Sequence, residues 1–284
     1  MIKNLSYFIQ AVFIYIFFFI ARIVGLKIGR KLFSFIFLNL GPFFKSKNTI
    51  ENNLKIFSDK ISSLRKKEII NNMWKNYGMT FIEYIFLDHL RKSNYHVEIV
   101  GLERILFLSN EKPVIFVSGH FANFELMSME MTKKNIKLAT IYRPLNNFFL
   151  NPFMEYLRKK YICKNQIKKG VSGVREAIQY IKKNHSIALM VDQRVSEGER
   201  IKFFNKEALT TTLPAQLAQK FDLSIVPVFI KRKENNTFII EFQKELDSKN
   251  FQNKLEITVK LNKILEKMIE KNPDQWIWTH NRWK

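Results

Sequence analysis

The sequence predicts an α/β fold with a mostly parallel central sheet flanked by helices, preceded by an N-terminal hydrophobic membrane-anchor helix. Two patterns predict this class. Short apolar runs alternate with amphipathic stretches of helical spacing beyond residue 95, and an uncharged apolar segment opens the chain. Alternating strands and helices are typical of a parallel sheet whose crossover connections are helices. The 284 residues can form one large α/β domain or two modest ones.

The opening segment, residues 4–21, contains no charged residue and is dominated by Phe, Ile and Val. A helix of this length is about 27 Å long, whereas a bilayer core is about 30 Å thick, so a span is possible but short. Arg22 could extend to the headgroups and complete it. A second apolar run at residues 32–40 cannot cross a bilayer but could lie at its surface. Spanning and one-sided attachment both stay open.

Two other interpretations of this segment fit the sequence less well. A cleaved signal peptide needs small residues after its apolar core, and here Arg22 follows. A buried core helix is a poor fit for a segment that is apolar on nearly all faces and lies at the extreme N-terminus of a modest domain. Arg22, Lys27, Arg30 and Lys31 follow the segment, against Lys3 before it. The positive-inside tendency then predicts that the body of the protein faces the cytoplasm.

We expect the chain to divide near residue 45. Residues 1–45 would form the membrane anchor and interfacial segment, and residues 46–284 the folded body. Within that body, residues 49–92 repeat apolar side chains at helical spacing, and residues 95–284 carry the α/β pattern.

The α/β region contains five predicted strands and five predicted helices. The strands are residues 114–118, 137–142, 187–191, 224–230 and 237–242, the last two paired across a polar turn at 234–236. The helices are residues 124–132, 152–161, 174–183, 214–221 and 250–271. Ligands of such folds lie beyond the carboxyl ends of the parallel strands, so reactive side chains are expected there.

The formal net charge of +22 favours an anionic partner: nucleic acid, an anionic membrane or an acidic protein. Charge alone does not choose among them, but no recognisable nucleic-acid-binding motif occurs. The single cysteine, Cys163, excludes an internal disulfide and a cysteine-rich zinc site. No pattern typical of a metal site is present, and we expect neither a metal nor a cofactor.

Reactive residues follow the first predicted strand directly, in the segment Gly-His-Phe-Ala-Asn-Phe-Glu at residues 119–125. His120 is therefore expected at the carboxyl edge of the sheet. Asp192 and Arg143 also follow predicted strands and should lie along the same edge. His120 and Glu125 can meet only if a turn separates them. This spacing by itself is not specific.

Further segments appear in a fixed order around this motif. They are Tyr142-Arg143-Pro144, Val191-Asp192-Gln193, Phe203-Phe204, Pro214-Ala215-Gln216-Leu217-Ala218, Pro227 and Trp278-Thr279-His280-Asn281-Arg282. Together, over the full chain, they resemble the bacterial lipid A biosynthesis acyltransferases, the late lauroyl and myristoyl transferases of lipopolysaccharide assembly, in the lysophospholipid acyltransferase-like superfamily.

Three positions depart from that family's usual pattern. Phe124 stands where the family has Trp, and Asn205 stands where it has Gly after two phenylalanines. The family's His-Arg-Arg-Phe near the end reads His-Asn-Arg-Trp at residues 280–283. None of these changes removes a reactive group, but they leave the acyl-chain and acceptor preference open.

The resemblance implies transfer of a fatty acyl chain from an acyl carrier protein thioester to a hydroxyl of a lipid A precursor. The reaction would take place at the cytoplasmic face of the inner membrane, whose lipids would be a further partner. A coenzyme A thioester stays open as the donor. A glycerolipid or another glycolipid is the alternative acceptor, and a basic nucleic-acid-binding protein is the more remote alternative function; we expect no nucleic acid.

A hydroxyl is a poor nucleophile near neutral pH, so a positioned base must accept its proton, and neutral His120 is suited to this. A carboxylate on the other ring nitrogen would fix the tautomer and stabilise the imidazolium. Glu125 and Asp192 are both candidates for that carboxylate, and we favour Glu125.

The remaining candidates would bind substrate. Arg143 could donate to the developing oxyanion or to a phosphate of the acceptor. Asn123 and Gln193 are candidate polar donors, and His280 and Arg282 are candidate phosphate or headgroup contacts.

Overall fold

The computed structural model describes residues 2–284, and over this range the chain forms ten α-helices and ten β-strands. The helices are α1 (Ile2–Phe44), α2 (Lys47–Phe57), α3 (Ser63–Glu83), α4 (Leu87–Lys92), α5 (Leu102–Glu111), α6 (Glu125–Lys133), α7 (Asn151–Leu157), α8 (Val171–Lys182), α9 (Leu213–Phe221) and α10 (Lys254–Lys271). The strands are β1 (Val97–Val100), β2 (Ile115–Ser118), β3 (Leu138–Tyr142), β4 (Asn165–Lys168), β5 (Ser186–Met190), β6 (Glu199–Phe203), β7 (Lys206–Thr210), β8 (Ser224–Arg232), β9 (Phe238–Phe242) and β10 (Leu246–Asp247).

The central sheet has the strand order β1-β9-β8-β2-β5-β3-β4, with β10 paired to β8. Strands β8, β2, β5, β3 and β4 run parallel, and β9 returns antiparallel to β8. The predicted α/β class, the mostly parallel sheet and the hairpin are therefore confirmed. Because β2, β3 and β5 point the same way, their carboxyl ends meet at one edge of the sheet, and the candidate residues His120, Arg143 and Asp192 follow those ends.

Strand β2 lies at the centre of the sheet and is buried on both faces. Ile115 and Val117 belong to the apolar layer on one face, and Val114, just before the strand, and Phe116 to the layer on the other. A strand that is covered on both faces needs a continuous run of apolar residues, and this run is the pattern from which the strand was predicted. The buried centre of the sheet gives the turn that follows β2 a rigid base.

Helix α1 is interrupted at Gly25, which has φ 81° and ψ 166°. Had the helix been straight, Phe17 and Phe33 would be about 24 Å apart, yet their ring centroids are 5.8 Å apart. A Cβ added at Gly29 would lie 3.7 Å from the Cβ of Ala21. The chain therefore folds back at Gly25, and residues 2–44 form a helical hairpin.

The hairpin packs on α3 and exposes much of its apolar surface. Phe81 of α3 contacts Phe18 in the first arm, residues 2–24, and Phe33 in the second arm, residues 26–44. By length and composition α1 is long and apolar enough to cross a membrane, consistent with an anchor.

Arg22 does not extend along the helix towards headgroups as expected. Its guanidinium donates two hydrogen bonds to Asp88, at 2.7 and 3.0 Å, and a third to the carbonyl of Ile85. The expectation treated the anchor as an isolated helix, whereas the body of the protein supplies a carboxylate beside Arg22.

Candidate active site

The turn after β2 sets the position of His120. The Phe121 N–H donates to the Gly119 carbonyl at 2.9 Å, and Ala122 adopts a left-handed φ of 43°. A Cβ at Gly119 would lie 2.8 Å from the Phe121 ring and 3.3 Å from an oxygen of Asp192. Only glycine leaves room for this turn, so Gly119 allows the backbone to approach Asp192 closely.

Asp192 holds His120 through two hydrogen bonds. Its Oδ1 lies 2.7 Å from Nδ1 of the His120 ring, and its Oδ2 accepts the His120 backbone N–H at 2.7 Å. Oδ2 also accepts the indole N–H of Trp276 at 2.9 Å. Burial alone would raise the pKa of the Asp192 carboxyl, but the adjacent His120 ring and these hydrogen bonds outweigh it and hold the pKa well below its ordinary value.

This arrangement determines which nitrogen of His120 can act as a base. An ionised carboxylate only accepts hydrogen bonds, so the hydrogen between the two groups belongs to Nδ1 of His120. Nε2 is left with a free lone pair. The His120 side chain is 16% exposed, and the Phe124 ring packs 4.6 Å from it, edge to face. The His120 side chain is therefore partly open to solvent, with an apolar ring on one side.

Gln193 and His280 stand next to that lone pair. The Gln193 amide nitrogen is 3.3 Å from Nε2 of His120 and donates to Nε2 of His280 at 2.8 Å. Burial, with the nearby His120, lowers the pKa of His280 to about 4, so its ring is neutral at pH 7. Gln193 is thus beside His120, and its role as a substrate donor stays a prediction. His280 is at the site, but its neutral ring offers a phosphate no positive charge.

Glu125 does not contact His120, and this corrects our preferred assignment. It begins α6 and accepts hydrogen bonds from the hydroxyl of Tyr84 and from Nε of Arg158, the latter at 2.8 Å. Burial and the carboxylate of Glu125 raise the pKa of Tyr84. The five-residue spacing suggested a shared turn, but the start of α6 directs the two side chains to different neighbours. The carboxylate on His120 is that of Asp192.

Asn123 faces the interior and not a substrate, which is a second correction. Its amide nitrogen donates to the buried carboxylate of Glu83 at 2.8 Å. Glu83 also accepts hydrogen bonds from Arg232 and Arg30, so it joins the turn to β8 and to the α1 hairpin. Burial alone would raise the pKa of Glu83, but the two guanidinium groups hold it below its ordinary value. Asn123 therefore holds the turn in place.

Arg282 is also placed differently from our expectation. It is fully buried, and its guanidinium donates to the Leu209 carbonyl at 2.6 Å and to Oγ1 of Thr210 at 2.7 Å. The guanidinium lies 5.0 Å from the centroid of the Phe203 ring, and burial lowers its pKa to about 10. A phosphate cannot reach this side chain, because the β6–β7 hairpin covers it.

Arg143 is exposed at the end of β3, as its position in the sequence suggested. Arg143 and Lys45 are both close enough to His280 to help lower the pKa of that ring. Lys169 lies near Arg143, and burial together with that guanidinium lowers its pKa. Lys45 and Arg143 therefore place positive charge near His280, and Lys169 places it near Arg143.

Sequence reasoning missed several residues that build the site. Trp276 holds Asp192, and Asn53 of α2 donates to the carbonyls of Trp278 and His280 at 2.8 and 2.6 Å. Trp276 could have been found, since it directly precedes the C-terminal cluster. The contacts of Asn53 span more than 220 positions, and no local pattern indicates them.

Comparison with known proteins shows the family. The family model described as bacterial lipid A biosynthesis acyltransferase matches residues 2–284. The lipid A biosynthesis palmitoleoyltransferase of Escherichia coli (strain K12) is 22% identical over 254 residues, which cover 86% of this chain and 80% of that protein. The lipid A biosynthesis lauroyltransferase of the same organism is 22% identical over 244 residues, covering 83% and 78%.

Among solved structures, the 1-acyl-sn-glycerophosphate acyltransferase of Thermotoga maritima aligns with a TM-score of 0.43 and 15% identity. The alignment covers 89% of this chain and all of that one. Since the family model spans residues 2–284 and the curated relatives carry matching names, the chain belongs to the bacterial lipid A biosynthesis acyltransferase family and is an acyltransferase of that type.

Proposed function

We propose that this protein transfers a fatty acyl chain from an acyl carrier protein thioester to a hydroxyl of a lipid A precursor, with His120 as the general base. The observation that carries this proposal is the 2.7 Å hydrogen bond between Asp192 and Nδ1 of His120, which leaves the lone pair of the ring on Nε2. A fixed tautomer with an accessible Nε2 is what removal of a hydroxyl proton requires.

The reaction can be written with these groups alone. Nε2 of His120 takes the hydroxyl proton while the acceptor oxygen attacks the thioester carbonyl, and Asp192 stabilises the resulting imidazolium. The tetrahedral intermediate then collapses to the new ester, the carbon–sulfur bond breaks, and the imidazolium returns its proton to the leaving thiolate. Gln193, whose amide nitrogen already lies 3.3 Å from Nε2, would give way to the acceptor hydroxyl and donate to the oxyanion.

The charges around the site fit anionic substrates. Arg143, Lys45 and Lys169 can bind the phosphates of a lipid A precursor, and the guanidinium of Arg143 can do so through two parallel hydrogen bonds. The overall charge of +22 favours an acidic carrier protein and anionic lipids. With the cationic residues that follow the first apolar segment, these features favour the cytoplasmic face of the inner membrane.

A panel of donors and acceptors tests this proposal. Purified full-length protein in mixed micelles would be given acyl carrier protein thioesters or coenzyme A thioesters of matched chain length. The acceptors would be a lipid A precursor and lysophosphatidic acid, with products identified by mass spectrometry. We expect acylation of the lipid A precursor from the carrier-protein donor.

Other outcomes would overturn it. Acylation of lysophosphatidic acid with none of the lipid A precursor would make the protein a glycerolipid acyltransferase. Faster transfer from the coenzyme A thioester would show that the acyl carrier protein thioester is not the preferred donor. Salt-sensitive binding to a random oligonucleotide, without acyl transfer, would favour a nucleic-acid-binding role.

A further inference from the structure

The loop between β3 and α7 presents large apolar side chains to solvent next to the proposed site. Leu145, Phe148 and Phe149 are 39%, 50% and 36% exposed. They follow Arg143 within a few residues. Neither the transfer reaction nor the core of the domain uses these side chains.

This loop is attached to the first arm of the α1 hairpin. The ring of Phe148 packs against Tyr7 with centroids 6.2 Å apart, and that of Phe149 against Phe8 at 5.3 Å. The buried amide of Asn147 donates to the Tyr7 carbonyl at 2.8 Å. The loop is therefore held in shape, and its apolar side chains continue the apolar surface of the arm.

The arm contacts the body of the protein along most of its length. Besides the contacts at Tyr7 and Phe8, Tyr15 and Phe18 pack on Phe153 of α7, with centroids 5.6 and 6.1 Å apart. From Tyr7 to Phe18 a helix rises about 16 Å, roughly half of a bilayer core. If the arm crossed the membrane, the loop and α7 would have to enter the bilayer core together with it. Placing the polar backbone of the loop and the buried Asn147 in hydrocarbon would be energetically unfavourable.

The end of α7 carries side chains suited to the headgroup layer. Tyr156 is half-exposed, and Nζ of the exposed Lys160 donates to its hydroxyl at 2.6 Å. Lys159 beside it is also exposed. Tyrosine and lysine side chains at the border of an apolar surface are typical of the membrane–water interface, where the cations meet anionic lipids.

We propose that the first arm of α1 and the loop at residues 145–150 form one lipid-inserting surface, which enters a single leaflet of an anionic bilayer. The acyl chains of the lipids in that leaflet contact this surface. Insertion holds Arg143 at headgroup depth, where the phosphates of a lipid acceptor lie. This inference rests on the membrane attachment included in the proposed function, and it adds a second contact and a one-sided topology.

A fluorescent label that responds to polarity tests the loop. In a Cys163→Ser background, a nitrobenzoxadiazole group would be attached at Phe148→Cys or, as the control, at Phe107→Cys on α5. Phe107 is an exposed phenylalanine on the helix that leads to the start of β2, away from the carboxyl edge. With phosphatidylethanolamine–phosphatidylglycerol vesicles, we expect a blue shift and quenching by spin-labelled acyl chains only at position 148. Equal responses at both positions would overturn the loop contact.

The same label at Asn4→Cys tests the topology. Dithionite does not cross membranes and reduces only labels on the outer side of reconstituted vesicles. If the arm lies in one leaflet, the reduced fraction at position 4 equals that at position 107, a comparison made in preparations where the fraction at position 107 differs clearly from one half. A spanning arm would make the two fractions complementary and would overturn the proposal. Acyl transfer by the same variants in detergent shows separately whether the proposed function stands.

Discussion

Replacing Asp192 by asparagine changes one oxygen to an amide nitrogen at almost constant shape. Oδ2 of Asp192 faces two groups that can only donate, the His120 backbone N–H and the Trp276 indole N–H. The asparagine oxygen has to take that side, because the reverse orientation leaves two buried donors unpaired at about 1–3 kcal/mol each. The asparagine NH2 then points at Nδ1 of His120.

The expected loss of activity follows from this orientation. Nδ1 must accept from the amide, so the ring hydrogen moves to Nε2, which then cannot take a proton from the acceptor hydroxyl. An equivalent tautomer error in a serine protease costs about 10⁴-fold in kcat, or about 5 kcal/mol of barrier. The loss of hydrogen bonds to a charged group should also reduce stability by about 2 kcal/mol.

Single-turnover acyl transfer at a temperature where the variant is folded measures the first effect, and urea unfolding measures the second. Glu125→Gln is the matched control, because Glu125 pairs with Arg158 and Tyr84 instead of His120. It should lose stability but much less kcat per folded molecule. If Asp192→Asn kept more than about a tenth of the rate while Glu125→Gln lost 10³-fold or more, our assignment of the carboxylate would be refuted.

Two further predictions concern the C-terminal cluster. Arg282→Ala should reduce the free energy of unfolding by about 3 kcal/mol in urea titrations, because the partners of the buried guanidinium lose their hydrogen bonds. A raised KM for the acceptor at unchanged stability would show instead that Arg282 binds a phosphate of the acceptor. Burial lowers the pKa of His280 to about 4 in the folded protein, whereas an unfolded histidine has a pKa of about 6.5. Between these two values the unfolded state binds a proton that the folded state does not. The free energy of unfolding therefore falls by up to about 3 kcal/mol as the pH falls from 6.5 to 4. His280→Gln should therefore reduce the drop in Tm between pH 7 and pH 4.5 relative to the surface control His89→Gln, and an unchanged drop would contradict the buried neutral ring.

The sequence predicted the central strands because burial on both faces requires long apolar runs, as at residues 114–118 and 187–191. It did not predict β1, β4, β6, β7 and the two-residue β10. Strands β1 and β4 are at the edges of the sheet, and β6 and β7 form their own hairpin, so polar side chains dilute the apolar pattern. Asn205 stands where the family pattern has glycine. Its backbone has a left-handed φ of 60°, a conformation that asparagine tolerates better than most residues other than glycine.

The sequence predicted at which edge of the sheet the candidate site lies, but not which carboxylate pairs with His120. Strand order alone brings His120, Asp192 and Arg143 to one edge of the sheet. The choice between Glu125 and Asp192 depended on how α6 begins and on a contact between positions 72 residues apart. Arg282 was expected to contact a phosphate or headgroup, but its burial depends on the β6–β7 hairpin, which local patterns did not indicate.

The role of His120 as the base is tested most directly by the single-turnover transfer rate of His120→Ala, with a carrier-protein thioester as donor and a lipid A precursor as acceptor. Membrane sedimentation and Tm of the same preparation would show that the variant is folded and attached. We predict a loss of at least about 10³-fold with both of those properties retained, because the variant lacks the base proposed to take the hydroxyl proton. A rate within tenfold of the unsubstituted protein would contradict the mechanism.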